Sequence, residues 1–186
     1  MRDEIMTAVA TLKRGGTLLY PTDTVWGLGC DATNALAVDK LTVLKNRPDH
    51  KSYICLVSDF KMLNIYVEDI PEVAYDVLKY SEKPTTIIYE KPIRIADNLL
   101  APDGSLGIRV VKDPFCQQLI RKLRKPLVST SANLSGQPTP KNRSEVAPAI
   151  LEGVDYVVNL PLAKKNVQPS TVIKIGEGGI FEIIRK

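Results

Sequence analysis

The chain has 186 residues, 44% of them hydrophobic, which suits one domain with a sizeable buried core. Its 25 basic and 21 acidic side chains leave a net charge of +4, which mildly favours anionic partners but falls short of the dense basic patch usual in nucleic-acid binders. No apolar run nears the roughly 18 residues of a membrane span; three widely spaced cysteines offer neither a CxxC zinc motif nor a disulfide framework; and one histidine, His50, excludes HExxH and every His-dependent triad not built on it.

Residues 3–14 have Ile5, Ala8, Val9 and Leu12 at helical spacing, ended by Gly15-Gly16. Acids near the start make this an amphipathic helix rather than a signal peptide, so a soluble cytoplasmic protein is expected. "TLLY" is a short buried strand. A helix is predicted over 34–46, with Ala35, Val38 and Leu41 inward and Pro48 as its stop. "YICLV" is a strand, and Ser58 is placed to cap the segment after it. Helix 71–80 precedes the strand "TTIIYE". "SLGIRVV" is a strand with one charge, Arg109. Asp113-Pro114 opens helix 114–124, because Asp caps and proline fits the first turn, and "RKLRK" suits its C-terminal dipole. "PLVST" is a strand, Ser144 opens a short helix interrupted at Pro148, and "DYVVNL" with the hairpin "STVIKIGEGGIFEIIRK" completes the pattern. Such mixing argues an α/β domain with a twisted, partly parallel sheet.

Several stretches carry chemistry. "GLGCDA" matches GxGxx(G/A), but "PTDT" separates it from the strand, where a dinucleotide fingerprint needs its turn at once; an oxidoreductase reading is therefore weak. "PTDTVWGLG" is either a ligand-holding turn walled by Trp26 or a capped turn with a core tryptophan. "KNRPDHK" places Lys45, Arg47 and Lys51 within seven residues, as a solvated helix end or as a phosphate clamp. Arg109 in an apolar strand needs a partner, either an internal acid or a ligand carboxylate. "STSANLSG" gathers Ser129, Thr130, Ser131 and Asn133 at a strand end, where they donate to a ligand or form a turn network. The cysteines read as small core residues.

Taken together, "PTDTVWGLGCDA", "KNRP", "GIRV", "STSANLSGQPTP" and "PSTVI" resemble, in order and spacing, the YrdC-like threonylcarbamoyl-AMP synthases over about residues 19–185. The family signature pairs KxR with SxN, here Lys45 with Arg47 and Ser131 with Asn133. The resemblance implies a twisted mixed open sheet with flanking helices and a concave ligand-binding face. It also implies a single domain over 1–186 without the extra C-terminal domain of longer relatives. It implies synthesis of threonylcarbamoyl-adenylate and pyrophosphate from L-threonine, bicarbonate and ATP, with Mg²⁺ on the phosphates. The product would feed the machinery that transfers threonylcarbamoyl to tRNA adenosine (t6A).

By the same resemblance, Arg47, Lys51, Ser105, Ser131, Thr139 and Arg185 contact ATP, and Thr24, Arg109, Ser129 and Thr171 hold threonine. Lys45 and Asn133 are expected in the same pocket as part of the catalytic signature. Trp26 stands where tyrosine is common, Ser52 where proline is usual, and Leu56 where some relatives carry a polar residue; no Trp-Pro-Gly precedes Pro84. Two alternatives belong to other classes: a double-stranded RNA-binding module using a basic concave face, and a paralogue acting on another small molecule.

Overall fold

The computed structural model describes residues 1–47, 53–161, 169–176 and 181–185. Its strands are β1 (Leu18–Pro21), β2 (Trp26–Gly29), β3 (Ile54–Val57), β4 (Thr85–Tyr89), β5 (Leu106–Val110), β6 (Leu127–Ser131), β7 (Tyr156–Val157), β8 (Thr171–Ile175) and β9 (Phe181–Arg185). Its helices are α1 (Arg2–Lys13), α2 (Ala35–Leu44), α3 (Phe60–Tyr66), α4 (Glu72–Tyr80), α5 (Pro114–Leu123) and α6 (Pro148–Gly153). Among the described residues the strands join in one sheet, ordered β7-β1-β2-β6-β3-β5-β4-β8-β9. β1–β7, β3–β5 and β4–β8 run parallel, and the other neighbours antiparallel. No helix of the described residues is long and apolar enough to cross a membrane.

Local chemistry explains most elements. Asn34 caps α2 by accepting from the Ala37 N–H, and Asp113 caps α5 by accepting from Cys116 at 2.8 Å, with Pro114 in the first turn. Arg121 and Lys122 occupy the last turn of α5, before a left-handed Arg124. Four expectations are corrected. Ala35, expected to face inward, is exposed on α2, and Ala37 is buried with Val38 and Leu41 instead. Ser58 does not cap α3: Asp59 accepts from Met62, and Ser58 donates to Asp59. Pro148 opens α6 rather than interrupting a helix, since proline has no N–H to lose in a first turn; a short 3₁₀ turn at Arg143–Glu145 precedes it. The glycines of "GLG" lie in β2, antiparallel to β1, so no helix N-terminus faces them and the dinucleotide fingerprint is lost.

Two apolar clusters sandwich the sheet. α1 and α5 bury Ile5, Leu12, Phe115 and Leu119 against Leu18, Tyr20, Leu56 and Leu127. Leu19, Leu28, Cys55, Val57, Ile108 and Val128 belong to the other cluster, with Val38, Leu41 and Leu63 of the helices. Trp26 is in this second cluster and only 4% exposed, so it is a core residue and not a ligand wall. Cys30, Cys55 and Cys116 are free and buried. β2 and β6 meet so closely at Gly29 that an added Cβ would press on the Val128 carbonyl and lie 2.9 Å from the Tyr20 ring.

Candidate functional site

The period-two alternation of strands turns core into cavity. On β6, Leu127 is buried under α1 and α5, and Ser129 and Ser131 follow on the same face. On β3, Leu56 is buried and Ile54 lies two positions away, opposite Ser129. Where the covering helices stop, Ile54, Ser129 and Ser131 line a cavity of about 240 Å³ with Thr22, Thr24, Gly27, Arg47, Tyr53, Arg109, Thr130, Thr139, Ser170 and Arg185.

Arg109 is the deepest charge there. It is 3% exposed on β5, opposite Leu56 of β3. Both partners left open by the sequence bear on it. An internal acid is present: Arg109 Nη2 lies 3.1 Å from Asp23 Oδ1, with Thr24 Oγ1 a longer contact at 3.4 Å. Asp23 Oδ1 and Arg109 Nε are each buried without a hydrogen-bond partner among the described residues. Arg109 lines the cavity, while its Nε is enclosed in the protein.

The turn that carries Asp23 is internally bonded. The Thr22 hydroxyl donates to the Val25 carbonyl at 2.7 Å and accepts from the Thr24 and Val25 N–H groups. The Thr24 hydroxyl oxygen lies 2.9 Å from it. A capped turn and a cavity wall are therefore the same structure. Arg185 comes from β9 and donates to the Ser170 carbonyl at 3.1 and 2.9 Å; Ser170 in turn meets Thr86 at 2.9 Å. Burial, and then the Arg109 charge, lower the pKa of Arg185. Burial likewise lowers that of Arg47, which lies over the Tyr53 ring at 4.4 Å. Three guanidiniums around one cavity repel each other, an arrangement that an anion relieves.

Of the expected site residues, Thr24, Arg47, Arg109, Ser129, Ser131, Thr139 and Arg185 line the cavity. Lys45, Asn133, Ser105 and Thr171 are not among its lining residues. Lys45 is 1% exposed and donates to the carbonyls of Ser131 and Asn133 at 2.5 and 2.6 Å. Burial, and then Arg47, pull its pKa down to about 7. Asn133 turns its amide to the Leu134 and Gln137 carbonyls, closing its own loop. Ser105 bonds Asp103 through hydroxyl and N–H. Thr171 starts β8 opposite Thr85 and donates its N–H to Pro84. Lys51 and His50 lie outside the described residues. Sequence reasoning missed Tyr53, Ser170 and the identity of Asp23 as the Arg109 partner. "PST" and "PTDT" already contained two of these, but no local pattern pairs Asp23 with a strand 86 positions later.

A family model covering Sua5, YciO and YrdC, described as "Telomere recombination", matches residues 10–186. The chain belongs to the Sua5/YciO/YrdC family. It is 37% identical over 184 residues to a threonylcarbamoyl-AMP synthase of Pseudoalteromonas translucida (strain TAC 125), covering 95% of this chain and 96% of the relative. Sua5 of P. abyssi, crystallised with L-threonine, superposes with a TM-score of 0.88 at 26% identity, covering 97% of this chain and 53% of its own. This Sua5/YciO/YrdC chain therefore spans about half the length of that Sua5. E. coli YciO superposes with a TM-score of 0.85 at 25% identity, over all of this chain and 90% of its own. The mixed, twisted open sheet with flanking helices is that of these structures.

Proposed function

We propose that this family member is an L-threonylcarbamoyladenylate synthase, a nucleotidyltransferase that joins L-threonine, bicarbonate and ATP. The observation that carries the reading is Arg109, a buried guanidinium that lines a hydroxyl-bearing cavity together with Arg47 and Arg185. A carboxylate suits the inner guanidinium, and the outer cations suit phosphates. Threonine is the relative's named ligand in the P. abyssi structure, and threonylcarbamoyl-AMP the named product of the Pseudoalteromonas relative.

The chemistry does not require a histidine base. The threonine amine adds to bicarbonate, losing water, and leaves a carbamate. A carbamate oxygen then attacks the α-phosphorus of ATP, the bond to the β-phosphate oxygen breaks, and pyrophosphate departs with the electron pair. Neither step needs a protein nucleophile, so the protein's part is positioning and charge neutralisation. Arg109 with Thr24 and Ser129 would hold the amino acid, and Arg47, Ser131, Thr139 and Arg185 the nucleotide. Mg²⁺ accompanies ATP in this reading. Among the described residues no cluster of three His, Cys, Asp or Glu side chains is placed for a metal, and the lining is hydroxyl and guanidinium. Phosphate oxygens and water would supply most of its ligands. The product then passes to the transferase machinery that modifies tRNA adenosine.

Pyrophosphate release from Mg-ATP tests the reading. Release that requires both L-threonine and bicarbonate is expected, with serine a poorer substrate. Mg-ATP binding without release would point to another small-molecule substrate. RNA binding that falls steeply with salt and ignores ATP would favour the RNA-binding alternative.

A further inference from the structure

Tyr53 directly precedes β3, is 4% exposed and lines the cavity. The Arg47 guanidinium carbon sits 4.4 Å from the centre of its ring. A guanidinium stacked on an aromatic face has its plane fixed, while its N–H edge can turn towards an anion. The ring is itself anchored. Tyr53 Oη and Thr42 Oγ1 are 2.9 Å apart, and Thr42 Oγ1 donates to the Val38 carbonyl at 2.9 Å. A threonine hydroxyl has a single proton, so in this pair Tyr53 is the donor and Thr42 the acceptor. Burial raises the Tyr53 pKa, which keeps its proton in place. Thr42 also receives the Arg47 N–H on its own carbonyl at 3.1 Å. One residue of α2 thus ties down both the backbone of Arg47 and the ring on which its side chain rests.

We propose that Tyr53, anchored by Thr42, is a positioning residue that orients the Arg47 guanidinium for the nucleotide phosphates. This rests on the reading of the cavity as a nucleotide site. Tyr53 touches no reacting atom in this scheme. Its ring restrains the Arg47 guanidinium, which also donates to the Thr130 hydroxyl at 3.5 Å, so part of the ordering of that long side chain precedes ATP. The amino-acid end of the cavity, around Arg109, does not depend on it.

The test is calorimetric binding of Mg-ATP, and separately of L-threonine, to the full chain and its variants. A cation–π contact of about 1–2 kcal/mol corresponds to a roughly five- to thirty-fold weakening of Mg-ATP in Tyr53→Leu. Tyr53→Phe keeps the ring and should stay within about three-fold of wild type. Thr42→Val, which frees the ring, should fall between them. L-threonine affinity should be unchanged throughout. In an Arg47→Gln background Tyr53→Leu should cost nothing more, because its effect runs through Arg47. If Tyr53→Leu does not fold, Tyr53→Met gives the same comparison. Wild-type affinity in Tyr53→Leu, or the same loss with and without Arg47, overturns the proposal while the nucleotide reading survives. Failure of wild type to bind Mg-ATP overturns both.

Discussion

Lys45 reaches the carbonyl of Ser131 at 2.5 Å and that of Asn133 at 2.6 Å, joining the two halves of the KxR and SxN signature through the protein interior. The lysine is not a cavity cation. It clamps the loop whose hydroxyls line the cavity, and its neighbour Arg47, two positions on, takes the outward role. Lys45→Met should leave those two carbonyls short of a donor and cost about 1–3 kcal/mol of stability in urea unfolding. Substrate affinities at Ser129 and Ser131 should fall with it.

The same lysine sets a pH dependence. Its folded pKa, about 7, is depressed below the ordinary lysine value of 10.5. Between those values the unfolded chain binds a proton on Lys45 that the folded chain has released. Stability from this group therefore rises with pH across that window, by at most about 1.4 kcal/mol per unit. The neutral amine retains two N–H donors, enough for both carbonyls, so the clamp persists. Unfolding free energies of wild type and Lys45→Met at about pH 7, 8 and 9 should diverge, with wild type gaining. Parallel curves would contradict the assignment.

Arg109 and Asp23 make an ion pair in the protein interior, and Arg109 also lines the cavity. Arg109→Ala leaves Asp23 facing a low-dielectric interior without its cation, at a cost of about 3 kcal/mol. It also removes the partner proposed for the threonine carboxylate, so the threonine KM should rise roughly ten- to hundred-fold. The ATP KM should change far less. An unaltered threonine KM would remove Arg109 from the amino-acid subsite.

Gly29 tests the packing under the site. A methyl group there meets backbone oxygen and an aromatic ring at once, and neither gives way cheaply. Gly29→Ala should destabilise by on the order of 3 kcal/mol and lower the midpoint of thermal unfolding.

The thiols test the reading of the cysteines as core. Burial pushes Cys30, Cys55 and Cys116 all well above the ordinary thiol range. Iodoacetamide near pH 8 should leave the native chain unmodified and label all three only after unfolding. Rapid labelling of any one in the native state would show it to be accessible.

Most of the fold was legible because it is written in local rules. The 3.6-residue pattern of α1, α2 and α5 and the side-chain caps of α2 and α5 depend on neighbours a few positions away, as does the hairpin β8–β9. What escaped were elements without a distinctive local signal. β2 is "WGLG", with two glycines that local preference assigns to a turn, and only pairing with β1 and β6 makes it a strand. α3 is a seven-residue helix whose cap was placed one residue early.

By itself the sequence determined most of the element types, the family signature and the residue classes of the site: cations in one loop, hydroxyls in another and one arginine in an apolar strand. Only the tertiary structure decided which cation faces the cavity. Lys45 and Arg47 are two residues apart beyond the end of α2, and nothing in that spacing says which is interior. The β6 loop supplies carbonyls where Lys45 passes and a hydroxyl near Arg47, so lysine turns inward and arginine outward. Asp23 against Arg109, and Tyr53 beneath Arg47, were settled in the same way, since a buried charge takes its partner from whatever the sheet brings near.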